Sequence, residues 1–226
     1  MRLFSYLTTF LLLQWLVEEL VGAGSWALHS LGIAVSALAA FRIALVGRAR
    51  QVRGTVAFAR RLGCAAAVLV VAAAASAAVA ATLGDATLFL PNIAQSIAEE
   101  LAFRVLPVVL LVRLATRTWV AWAWLCVTSV VFALAHGATD WVLLGDKLVF
   151  ALGASALVWR YRMCLPAALL LASALHIASN AGAAALYASA THPAEWLIVA
   201  DLIGLAGALV IARRRDERKD YGDVDD

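Results

Sequence analysis

The chain of 226 residues is 64% hydrophobic and 15% charged, with a mean hydropathy of +0.89, which excludes an ordinary soluble globular domain. Its net charge of +3 sits in short basic clusters between apolar runs, a distribution that reports topology and gives no reason to expect a nucleic-acid partner. The composition predicts an all-α, multi-pass integral membrane protein whose constant partner is the lipid bilayer.

Eight apolar stretches reach the length of a span, about 20 residues at about 1.5 Å each. They run roughly over 3–20, 25–46, 62–83, 88–112, 119–136, 141–159, 165–187 and 195–212. Ahead of the first, Met1-Arg2 resembles the start of a signal peptide, but Glu18-Glu19 stand where a small-residue cleavage site belongs, so the stretch reads as an uncleaved span. The third is rich in alanine (Ala65–Ala67, Ala72–Ala75, Ala77 and Ala78), which suits close helix packing. Basic residues fall at every second boundary: Arg2, then Arg48, Arg50, Arg53, Arg60 and Arg61, then Arg113 and Arg117, then Arg160 and Arg162, then Arg213, Arg214 and Arg215. The other boundaries carry Glu18, Glu19, Asp85, Asp140 and Glu195. The positive-inside rule then places both termini in the cytoplasm. Trp26, Trp141 and Trp196 at one boundary and Trp119 and Trp159 at the other form aromatic belts. Arg42 is expected to snorkel, and Lys147 to snorkel or to pair with Asp146 or Asp140. Cys64, Cys126 and Cys164 lack metal-type spacing and read as buried small hydrophobes. Residues 1–212 form one transmembrane domain, and 213–226 a charged cytoplasmic tail.

Within the fourth stretch, Glu99, Glu100 and Arg104 place three ionisable side chains inside six residues. Each costs about 2.5–3.5 kcal/mol at the centre of a membrane helix on insertion scales, so a functional site is the default reading. Four residues apart, Glu100 and Arg104 share a helical face as an ion pair. Glu99 is rotated by about 100°, which leaves it unpaired and free for chemistry. The fifth stretch ends Phe132-Ala-Leu-Ala-His136, and the seventh carries His176-Ile-Ala-Ser-Asn180. A spacing of four puts each of these pairs on one face, with the Phe132 ring one turn deeper than His136. Singly, a membrane histidine or asparagine is more often interhelical hydrogen-bonding glue. Counted from the boundaries, however, Glu99, His136, His176 and Asn180 all fall in the outer half of the membrane, and no other polar cluster stands out in the spans. The four are therefore expected to share one cavity. A carboxylate beside an imidazole can hold and deprotonate a water, while an imidazole N–H and an amide N–H can hydrogen-bond a developing oxyanion. That equipment suits acyl-bond hydrolysis, and no serine or cysteine stands with a base in these motifs. The same His, His, Glu set has the ligand types of a zinc site, which is the alternative reading of these residues.

The three motifs, EExxxR at Glu99, FxxxH at Phe132 and HxxxN at His176, complete and in order, resemble those of the CPBP family (CAAX proteases and bacteriocin-processing enzymes), related to the prenyl-protein CAAX endopeptidase. The resemblance covers about 88–187. It implies an intramembrane glutamic endopeptidase that needs no cofactor and no metal. Glu99 would activate water, His136 would help hold it, and His176 with Asn180 would form the oxyanion hole. Glu100, Arg104 and Phe132 would support the site. The substrate implied is a membrane-anchored or exported protein: a CAAX-type, bacteriocin-processing or C-terminal sorting-signal peptide. An outward-opening site favours an exported substrate, and the bacterial inner membrane is the expected location. The competing readings are a non-catalytic immunity or scaffold protein of the same fold, and a proton-coupled transporter using Glu99 and His176.

Overall fold

The computed structural model describes residues 2–21, 26–44, 56–114, 117–136, 141–162, 164–189, 196, 199–203 and 206. Every regular element among them is helical. Helix α1 spans Arg2–Val21, α2 Trp26–Ala44 and α3 Val56–Leu83; a 3-10 turn follows at Ala86–Leu88. Then come α4 (Leu90–Glu100), a π turn (Leu101–Val105), α5 (Leu106–Leu114), α6 (Thr118–Ala135), α7 (Trp141–Arg160) and α8 (Leu165–Ser189). Among the described residues four segments are long and apolar enough to cross a membrane: Arg60–Leu83, Thr118–Ala135, Trp141–Arg160 and Leu165–Ser189. The expected span 195–212 lies mostly outside the described residues, as do the tail 213–226, the arginines at 48, 50 and 53, and Asp140.

The end of α3 follows from its residues. Gly84 has φ 68°, and the Asp85 amide donates to the Ala80 carbonyl at 3.0 Å, the 6→1 bond of a Schellman ending, which requires a residue in the left-handed region. Asp85 Oδ1 then accepts from the Thr87 amide (2.9 Å) and hydroxyl (2.6 Å). Those two bonds, the hydroxyl first, hold its carboxyl below the usual carboxylate range. The alanines of α3 do allow close packing: Ala65 meets Cys164 and Ala167, and Ala72 meets Ala174 and Ile177, all on the α8 side. Of the cysteines only Cys164 is buried. Cys64 and Cys126 are exposed, so for these two burial was the wrong expectation; an apolar thiol on a membrane helix can face lipid as readily as protein. Lys147 pairs with its neighbour Asp146 at 3.4 Å. Trp119 and Trp141 are exposed, while Trp159 packs on Trp122 and under the Arg162 guanidinium.

The run from α4 through the π turn into α5 lies at the centre, touching α1, α2, α6, α7 and α8. An uninterrupted α-helix was expected here, and Pro107 is the physical reason for the difference. Proline has no N–H and its ring crowds the carbonyl four residues back, and the wider π turn accommodates both effects. The Leu106 amide donates to the Leu101 carbonyl, five residues back. The next donor in that series would be Pro107, which has none to give the Ala102 carbonyl. Tyr6 of α1 supplies it: its buried hydroxyl donates to Ala102 O at 2.6 Å. Stacked and edge-on aromatics, Tyr6 on Phe10, Phe10 on Phe103 and Phe103 on Phe132, carry the packing from α1 through the π turn to α6.

Candidate active site

Glu99 and Glu100 close α4, and both are buried, as is Arg104 in the π turn. Arg104 Nη1 lies 3.1 Å from Glu100 Oε1, the pairing that their spacing predicts. The guanidinium also lies over the Phe132 ring, 3.6 Å from its centroid. An aromatic face attracts a cation most strongly where water is excluded. Phe132 therefore has two duties, beneath Arg104 and against the His136 ring, whose centroid is 4.1 Å away.

Glu99 is not the solitary carboxylate that helical angle alone suggests. Its Oε1 accepts from Gln95 Nε2 at 2.7 Å. Its Oε2 lies 3.5 Å from His136 Nε2 and 3.6 Å from His176 Nε2. On the other edge of the His176 ring, Nδ1 lies 2.9 Å from Glu100 Oε1. The rotation of about 100° between adjacent residues separates the two carboxylates by the width of one imidazole, so His176 bridges them.

The ring edges facing away from Glu99 are both committed. His136 Nδ1 lies 2.8 Å from the Phe132 carbonyl, which can only accept, so Nδ1 carries the proton. His176 Nδ1–H likewise donates to Glu100. In the neutral rings both Nε2 atoms are then acceptors. They face Glu99 Oε2, which has no hydrogen-bond partner among the described residues. Three lone pairs converge within 4.8 Å of one another. One added proton, with a water held among the three atoms, satisfies them, and so does one divalent cation.

Asn180 stands one turn along α8 from His176, and its Nδ2 donates to Asn92 Oδ1 at 2.8 Å. Asn92 also receives the Ser96 hydroxyl (3.3 Å), and its own Nδ2 donates to Ser76 Oγ (3.0 Å) and the Ile177 carbonyl (3.3 Å). The structure thus gathers Glu99, Glu100, Arg104, Phe132, His136 and His176 around one point and ties Asn180, one turn further along α8, to Asn92.

Asn92, Gln95 and Ser96 are the residues that sequence reasoning missed, and the spans are less barren of other polar groups than expected. The signal was there: Asn92, Ser96 and Glu100 recur every four residues, as do Gln95 and Glu99, forming polar stripes along α4. Asp146 with Lys147 is a second polar group within a helix. His176 is held by Phe150 as well, at 4.8 Å between ring centroids.

Residues 81–182 match the family model described as Rce1-like, type II CAAX prenyl endopeptidase. The matched segment contains every motif residue named above and stops short of half the chain. No curated protein and no solved structure matches the chain.

Proposed function

We propose, from the Rce1-like type II CAAX prenyl endopeptidase character of residues 81–182, that the chain is an intramembrane endopeptidase using Glu99 to activate water. The observation that carries this reading is the convergence of Glu99 Oε2 with both imidazole Nε2 atoms. A water among these atoms, about 2.8 Å from each, gives a proton to Glu99 as its oxygen attacks the peptide carbonyl carbon. His136 holds that water. His176, kept in register by Glu100 and carrying the added proton on Nε2, donates to the oxyanion, and Asn180 supplies a second N–H. The C–N bond then breaks, and the proton on Glu99 passes to the leaving nitrogen, giving an amine and a carboxylic acid that then loses its proton to that amine. The substrate proposed is a membrane-anchored or exported protein cleaved close to the bilayer, with the protease in a bacterial inner membrane. A site opening on the extracytoplasmic side favours the exported class.

A zinc reading has its own support in the donor set. Each ligand atom is backed by a partner on its far side: Gln95 behind Glu99, the Phe132 carbonyl behind His136 and Glu100 behind His176, the outer-shell pattern of histidine metal sites. Glu99, His136 and His176 would hold the ion, which would polarise a carbonyl and acidify a water.

Glu99→Gln separates function from fold. It preserves shape and removes the proton acceptor, so folded protein should be recovered in normal yield while cleavage of a CAAX-type or anchored reporter peptide falls by about 10²-fold or more. Unchanged cleavage by this variant ends the proposal. Purified enzyme should stay active with chelator present, whereas activity lost on chelation and restored by zinc establishes the metal reading instead.

A further inference from the structure

Away from the active site, a cavity of about 510 Å³ opens between α3, the turn after α7, and α8. Its lining divides by chemistry along the helix. Arg60 and Arg61 stand at one end, where the apolar segment Arg60–Leu83 begins. Cys64, Ala65 and Val68 follow on the same face of α3 at spacings of three and four, and Leu171 of α8 and Tyr161 complete the walls. Ala65 packs against Cys164 and Ala167 and closes the floor. Cys64 and Val68 are open to the outside. Among the described residues no ion pair neutralises either arginine.

We propose that this cavity is a binding site for an anionic phospholipid, with the phosphate on Arg60 and Arg61 and an acyl chain along Cys64, Ala65, Val68 and Leu171. Two cations at the end of an apolar span and an apolar channel leading away from them match an amphiphile of that polarity. Basic pockets between transmembrane helices are the kind of surface that holds acidic headgroups. The volume is in the range of small-molecule sites, about 300–1,000 Å³, and exceeds what a bare phosphate needs. The preceding segment is itself basic, with Arg48, Arg50 and Arg53, so it is no counter-charge. The rival occupant within the chain is the acidic end of the tail, with Asp223, Asp225 and Asp226.

The full-length protein, extracted from vesicles of equal parts phosphatidylglycerol and phosphatidylcholine, should retain phosphatidylglycerol by native mass spectrometry with a preference on the order of tenfold. R60Q/R61Q should lose the preference, and R60K/R61K should keep it. V68W, which leaves the charges in place and obstructs the channel, should reduce retention of both lipids, so the proposal stays testable if R60Q/R61Q fails to fold. Deletion of 216–226 should change nothing, and glycerol 3-phosphate should not displace the lipid. Equal retention of the two lipids overturns the proposal, as does a preference that survives R60Q/R61Q. Retention untouched by V68W, or displacement by glycerol 3-phosphate, leaves an anion site in place of a lipid site. Retention that rises on tail deletion makes the tail the occupant.

Discussion

On the proposed reading Arg104 and Asn92 act by positioning other groups. Arg104 is fully buried between Glu100 and the Phe132 face, and removing one member of a buried pair strands the other, at a cost of about 3–5 kcal/mol. Arg104→Ala should therefore lower the yield of folded protein together with activity, measured by detergent-solubilised thermal melting. Normal melting with activity lost would assign Arg104 to the chemistry. Asn92 accepts from Asn180 and so aims its carboxamide. Removing an oxyanion donor typically costs about 10²–10³ in turnover. Asn92→Ala should reproduce much of the loss expected of Asn180→Ala, and the double variant should be hardly worse than Asn180→Ala alone, since residues acting as one unit are not additive. A fully additive double variant would show that Asn92 acts elsewhere.

The π turn follows directly on Glu99 and Glu100 and carries Arg104. Pro107 withholds the N–H that the Ala102 carbonyl lacks, and Tyr6 replaces it from another helix. Pro107→Ala restores the donor and allows this turn to rewind as α-helix, which rotates Glu99 and Glu100 by about 100° relative to α5. Turnover should drop at least about tenfold with helicity and yield retained. Tyr6→Phe leaves a buried carbonyl unpaired and should cost about 1–3 kcal/mol of stability. In the Pro107→Ala background that cost should largely disappear, because the backbone then supplies the bond. An equal penalty in both backgrounds would show that the tyrosine packs without serving this carbonyl.

For the whole molecule, the alternating basic boundaries predict cytoplasmic termini and external loops at Asp85, Asp140 and Thr191. Single cysteines introduced at 53, 85 and 191 in a cysteine-free background test this with a membrane-impermeant thiol reagent on intact cells. Positions 85 and 191 should label and 53 should not, and labelling at 53 inverts the topology. The helical class, the helices over the first seven apolar stretches and the three motifs were legible in the sequence because they rest on local quantities: hydropathy over about 20 residues and spacings of three and four along one helix. The Glu100–Arg104 pair was legible for the same reason. What needed the tertiary structure was every relation across helices. Which edge of His176 meets which carboxylate depends on where α8 lies against α4. That Asn92 meets Asn180 emerges only when α8 lies against α4, whereas the Gln95–Glu99 bond, four residues apart on α4, is as local as the Glu100–Arg104 pair. The π turn lies between these cases. Pro107 signals a broken hydrogen-bond series in the sequence, but the hydroxyl that makes the break tolerable comes from Tyr6, 96 residues away in the chain, and no local pattern encodes a partner at that distance.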